Sequence, residues 1–245
     1  MRHWLRSFGL LLKWNVLRLR TELPIFLAIQ TLMSAGIVVG FSLLIPWVDD
    51  VAALYLTSGA MTVSLITVGM VMAPQLVAQR KEKGLLDYQR SMPVPRLAMM
   101  AADAAVWIVV ALPGLAMTLL VSVLRFDLDI SVSPLLVPAV LLVSAGTAGV
   151  GYCIAYTVKP ALVGLITNLV LIVALMFAPI NYPAERLPGW AADVHQWLPF
   201  QYMAQAVRET IDASGAGIAV LPFVVLAAWA ALGLMVTSRV MTRRA

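Results

Sequence analysis

The chain has 245 residues, 62% of them hydrophobic and only 12% charged, with a mean hydropathy of +0.93 and a net charge of +5. Soluble domains carry about a quarter charged residues, so this composition excludes a soluble globule and leaves no length for one beside a set of membrane spans. The Lys and Arg excess fits the setting of membrane orientation rather than nucleic-acid binding, and a lone cysteine, Cys153, excludes an internal disulfide.

The first element, residues 1–21, lacks the plain apolar core and small-residue cleavage site of a secretory signal. At about 100° per residue, Arg2, Arg6, Lys13 and Arg20 fall in one stripe, with Arg18 off it. Trp4, Leu5, Phe8, Leu11, Leu12, Val16 and Leu19 fill much of the remainder. A basic stripe on a broad apolar body predicts a helix lying in the headgroup plane; the plainer reading is a cytosolic extension of the first span.

A span needs about 20 apolar residues. Six runs qualify: 24–45, 51–76, 101–124, 134–158, 161–180 and 218–236. Pro74 near the end of the second, and Gly146, Gly149 and Gly151 in the fourth, soften those boundaries. The glycines, like Gly36-x-x-x-Gly40 in the first span, read as helix-packing positions. The turn at Lys159-Pro160 makes the fourth and fifth spans antiparallel neighbours. Residues 237–245 form a basic tail. Of the Lys and Arg residues, only Arg125, Arg186 and Arg208 fall on one side of this layout, and all the others fall on the opposite side. The positive-inside rule then places both termini, and the loop after the second span, in the cytoplasm. The resulting fold class is an all-α integral membrane protein of six transmembrane helices.

No GxxxxGK[ST] phosphate loop occurs, so the chain is not expected to hydrolyse ATP by itself. His3 and His195 lie outside the spans, which removes an intramembrane Ser–His pair. No pair of aspartates sits at membrane depth, and no His/Cys/Asp/Glu cluster has metal-ligand spacing. Asp103 is the one acid inside a span. An acid at membrane depth is a functional candidate by default; near the cytoplasmic end, where this one lies, the structural reading is that it reaches headgroups or pairs with a Lys or Arg of the adjoining loop. Mid-membrane ionisable residues and an inverted repeat, the marks of an ion-coupled carrier, are missing. Energy comes from elsewhere, or the protein is a passive pore.

Residues 79–97, QRKEKGLLDYQRSMPVPRL, interrupt the apolar pattern with charge, a glycine and two prolines. Pro93 and Pro95 end any helix and stiffen its exit. Two readings stand on the residues alone: a short helix passing motion from a cytoplasmic partner to both spans, or a solvated loop that only fixes topology. Between the fifth and sixth spans, YPAERLPGWAADVHQWLPFQYMAQAVRE is too polar to span and too aromatic for a free loop. Trp190, Trp197, Phe200 and Tyr202 suit the outer interface, and two short helices dipping into the outer leaflet are expected.

These two stretches resemble type 2 ATP-binding-cassette (ABC) exporter permeases. In the first, Glu82, Gly84, Leu86, Asp87, Pro93, Val94 and Arg96 match the family's acidic–Gly-Thr-Leu–acidic run and its Pro-Val-basic exit. Leu85 stands where threonine is usual, and Asp103 where lysine is often found. In the second, Pro183, Leu187, Pro188, Trp190, Leu198, Pro199, Tyr202, Ala206 and Arg208 fit the extracellular segment. Residues 1–21 are similar to the family's elbow helix, and span count and orientation agree over essentially the whole chain.

The resemblance implies one transmembrane domain: elbow helix 1–21, six-span core 24–236 and tail 237–245. It further implies a permease that pairs with a second copy or paralogue and docks on cytoplasmic ABC ATPase subunits, which use ATP and Mg; the chain itself has no cofactor. The coupling helix, about 81–91, brings Lys81, Glu82, Gly84, Leu85, Leu86, Asp87, Tyr88 and Arg90 to the ATPase, with Pro93 behind. The pathway, at the dimer axis, draws on Gln30, Thr31 and Ser34 of the first span and on Thr167 and Asn168 of the fifth; ordinary interhelical hydrogen bonding is the competing reading of these side chains. The re-entrant segment carries Leu187, Pro188, Trp190, Pro199, Tyr202 and Arg208. Export of hydrophobic or amphipathic compounds such as drugs or antibiotics from a bacterial inner membrane is the expected activity. Lipid-linked or polysaccharide export is the alternative substrate class, and a passive channel or scaffold without an ATPase is the alternative function.

Overall fold

The computed structural model describes residues 2–44, 48–85, 94–212, 214 and 217–242. Helix α1 (Arg2–Leu19) is amphipathic. It turns at Arg20–Glu22, where Glu22 N–H donates to Leu19 O (2.8 Å), into the first span, α2 (Leu23–Leu44). Asp49 caps the second span by accepting from Ala52 N–H (2.8 Å), satisfying an end donor of α3 (Asp50–Ile66).

That helix does not stop near Pro74. It continues through a π-helical segment, Thr67–Met72, into α4 (Ala73–Glu82), a single run of 33 residues. A proline inside an α-helix lacks an N–H and collides with the carbonyl four residues back. Here Ala73 N–H reaches Val68 O, five residues back, and this widened turn absorbs the defect. The second span therefore runs to Glu82, past the expected end at residue 76.

The third span is α5 (Arg96–Phe126), ended by Asp127 in the left-handed region (φ 52°). The fourth is α6 (Leu136–Thr157) and the fifth α7 (Pro160–Phe177), with Pro160 at the first helical position, where its missing N–H costs nothing. A 3-10 turn (Ala184–Arg186) leads to two helices where two were expected, α8 (Gly189–His195) and α9 (Pro199–Ile211). The sixth span, α10, is Val220–Thr242, so residues 237–242 belong to its helix rather than to a tail. Thr237 is fully buried, donating to Gly149 O (3.3 Å), which explains the extension.

The second span is the hub. Of its most apolar window 89% is buried, against 22% for each of the first, fifth and sixth spans. It packs on α5, α6, α7 and α9; α2 packs chiefly on α5, and α10 on α6. Glycines allow the α6–α10 crossing. A Cβ at Gly149 would stand 2.9 Å from Gly233 Cα. Lipid tails are as apolar as the side chains, so close van der Waals contact of this kind drives association in a bilayer. By contrast, a Cβ at Gly36 or Gly40 would meet nothing within 4 Å, so the GxxxG face of α2 is not used inside the chain.

Candidate functional site

The spans carry their basic flanks at one end and their acidic flanks at the other, and polar side chains converge at both ends. At the basic end, Arg80 Nη1 donates to both carboxylate oxygens of Asp103 (3.1 Å each), and Asn15 Nδ2 donates to Asp103 Oδ1 (2.7 Å). Arg80 is 2% exposed and Asp103 13%. Charges this deep persist only when paired. The pairing ties three elements together: α1 through Asn15, the second span through Arg80, the third through Asp103. Arg18, off the basic stripe of α1, turns toward this node. Burial and then the Arg80 charge pull it below the ordinary arginine value. Asp103 thus has the loop-adjacent partner the sequence predicts. Nothing in the sequence ties Asn15 or Arg18 to Asp103, because which face of α1 docks depends on packing against α5.

Beyond Arg80 the second-span helix ends within one turn. Lys81 Nζ donates to the carbonyls of Tyr156 and Val158 (3.3 Å each), capping the end of the fourth span. Gly84 takes φ +68° and donates to Lys81 O (3.2 Å). That left-handed C-terminal position is one glycine adopts without strain. Lys81 and Glu82 are therefore the last turn of the second-span helix and not the start of a separate coupling helix. Leu85 is half-buried. Leu86, Asp87, Tyr88, Arg90 and Pro93 lie outside the described residues.

Inside the spans, Gln30 and Ser34 share a face, as their spacing predicts, and that face meets the second span. Gln30 Nε2 donates to Ser64 O (2.9 Å) and to the Ser64 hydroxyl, and Ser34 Oγ lies 3.3 Å from Ser64 Oγ. Gly114 of the third span makes room, since a Cβ there would stand 2.7 Å from Ser64 Oγ. Both residues are 1% exposed, so within one chain they join helices instead of lining an opening. Thr31 donates to Leu27 O (2.8 Å) and Thr167 to Val163 O (2.9 Å), each within its own helix. Asn168 is different: its Nδ2 donates to Gly164 O (2.7 Å), and the residue is exposed on an otherwise apolar span.

At the acidic end, α9 is wedged among the second, fourth and sixth spans, with Met203, Ala204, Ala206, Val207 and Ile211 fully buried. Arg208 locks it in place. Its Nε donates to Ser58 Oγ (3.1 Å) and its Nη2 to Ile180 O (2.9 Å), and its guanidinium carbon lies 3.6 Å from the Tyr55 ring centroid. Burial pulls Arg208 down to about 10, against the raising influence of Tyr55 and Glu209, so it stays charged at neutral pH. Tyr202 donates to Gln196 O (3.0 Å), closing the α8–α9 corner that Leu198 and Pro199 form. Trp190 stays 70% exposed. Leu187 and Pro188 precede α8, where Pro188 O accepts from Ala191 N–H (2.9 Å). Tyr55 and Ser58, the partners of Arg208, carry no sequence signal of their own.

The sequence profile of the ABC-2 type transporter family matches residues 6–211, which span α1, the first five spans and α8–α9. No curated protein matches the chain. The matched region covers most of the chain and the whole of the two-ended polar framework, and the protein is accordingly a multi-pass membrane protein of the ABC-2 type transporter family.

Proposed function

We propose that this chain is the permease subunit of an ATP-driven exporter, paired with a second permease chain and coupled through residues 80–96 to a separate cytoplasmic ATPase that uses ATP and Mg. One observation carries the proposal. The buried hub helix of the fold runs unbroken through the Arg80–Asp103–Asn15 node and delivers the chain into that segment. A push on the segment would reach three elements through one ion pair.

In this reading the basic end faces the cytoplasm with both termini, in a bacterial inner membrane, and α1 lies as an elbow at that surface. The exposed amide of Asn168 and the half-buried Thr31 face away from the core, toward the dimer axis and its pathway. Gln30, Ser34 and Thr167 hold the spans behind that surface. The open Gly36 and Gly40 positions favour a second permease chain approaching α2. The transported compound is hydrophobic or amphipathic, a drug or antibiotic, since the candidate pathway offers no charged ring.

Export assays with Gly84→Pro and Arg90→Glu test the coupling. Proline holds φ near −65° and cannot adopt +68°. Both variants are expected to keep the wild-type melting temperature in detergent and to lose export. Normal export by both would remove the coupling role and favour a passive channel or scaffold.

A further inference from the structure

At the acidic end a cavity of about 280 Å³ lies between the second span, the chain at 179–185 and α9. Its walls are largely polar: Tyr55, Tyr182, Glu185, Gln205, Arg208 and Glu209 line it, and each keeps accessible surface. The volume falls just below the range of drug-sized sites, about 300–1,000 Å³, and suits a smaller ligand.

The guanidinium of Arg208 is incompletely partnered. Nε and Nη2 are engaged by Ser58 Oγ and Ile180 O, and Tyr55 covers one face. Nη1 has no protein acceptor among the described residues and is not enclosed. No carboxylate of the described residues lies within ion-pairing distance. Glu209, next along α9, is turned elsewhere: its oxygens accept from Gln205 Nε2 and Ala219 N–H (2.8 Å each). A half-buried guanidinium with an unpaired charge recruits an oxyanion. A bare anion is the wrong partner, because Glu185 and Glu209 bring two negative charges to the cavity against the one positive charge of Arg208. Glu185, exposed on the 3-10 turn, has no hydrogen-bond partner among the described residues and is open to a cation.

We infer that this cavity binds a small zwitterion, its oxyanion on Arg208 Nη1 and its ammonium on the Glu185 carboxylate. Phosphoethanolamine has this chemistry, whether as a lipid headgroup or as a free solute. The site depends neither on an ATPase nor on export, so its failure would leave the permease reading standing.

The test titrates the full chain in dodecyl maltoside with glycerophosphoethanolamine and reads binding by isothermal calorimetry. The comparison ligands are glycerophosphoglycerol, which keeps the phosphodiester and lacks the ammonium, and ethanolamine, which lacks the phosphate. Each is expected to bind at least about tenfold more weakly, the loss of one charge-assisted hydrogen bond. Arg208 also holds α9 in place, so the variant is made at exposed Glu185. Glu185→Gln keeps the shape and removes the charge, and should bring glycerophosphoethanolamine down to the level of glycerophosphoglycerol. Equal binding of the zwitterion and either half, no binding of the zwitterion, or an unchanged affinity in Glu185→Gln overturns the proposal. Nanodiscs then identify the source. Phosphatidylethanolamine in the bilayer that blocks the free headgroup assigns the site to lipid, and free binding undiminished by that lipid assigns it to a solute.

Discussion

Asp103 shows how a single side chain decides between two readings. An in-span acid is a functional candidate by default, and the structure gives it a guanidinium and an amide as partners. Asp103→Asn leaves Arg80, 2% exposed, without its counter-charge. The expected loss is about 3–5 kcal/mol, read as a lower melting temperature in detergent. Replacing both partners with apolar residues, Arg80→Met with Asp103→Leu, should recover most of it; no recovery would mean that the pair is not what holds the node. His195 gives a second residue-scale expectation. Burial lowers its pKa against the pull of the Phe177 carbonyl, so the native state favours the neutral ring. Its contribution is intact above the free histidine value of about 6.5 and is lost as pH falls through that value toward the lowered native one. Melts from about pH 7.5 to about pH 5.5 should fall more steeply for wild type than for His195→Gln; parallel slopes would contradict this. The Asp103 pairing was legible because Arg80 flanks the loop that leads into the third span. The Arg208–Ser58 contact was not, because 150 residues separate the partners and only the folded packing brings them together.

At the scale of helices, glycine positions with the same sequence appearance do opposite work. Gly149 and Gly233 touch across the α6–α10 crossing, so Gly149→Val forces its Cβ into backbone 2.9 Å away. Such overpacking costs about 1–3 kcal/mol, visible as a depressed melting temperature of the isolated chain. Gly36→Leu and Gly40→Leu meet open space. They are expected to leave the monomer's melting unchanged and to weaken pairing of two permease chains, measured by in-membrane crosslinking. Unchanged pairing would place the dimer face elsewhere. Hydropathy found every span, because about 20 apolar residues are a strong local signal. It misjudged the end of the second span because Pro74 is a helix breaker locally, and the π turn that absorbs it lies where Gly69 and Gly151 let the fourth span close in. The extension to Thr242 was missed for the same kind of reason: Thr237 looks like a polar stop until its hydroxyl is seen against Gly149 O.

For the whole molecule, the proposed orientation rests on the asymmetry of Lys and Arg, and the most buried span leads from the acidic end to the segment proposed to meet the ATPase at the basic end. The family was legible in two motif regions, since turn and interface residues there stand out from an apolar background. The pathway was less so: Gln30 and Ser34 carry the spacing of a polar lining yet bind Ser64 of the same chain. The central claim is that this membrane framework is driven by a separate ATPase at its basic end. The most direct measurement is affinity purification of the chain from its host membrane in mild detergent, with the co-purifying proteins quantified by mass spectrometry. A P-loop ATPase in near-equal amount, lost on Arg90→Glu, is the predicted result. Recovery of the chain with no ATPase, in detergents and nanodiscs alike, would contradict the claim.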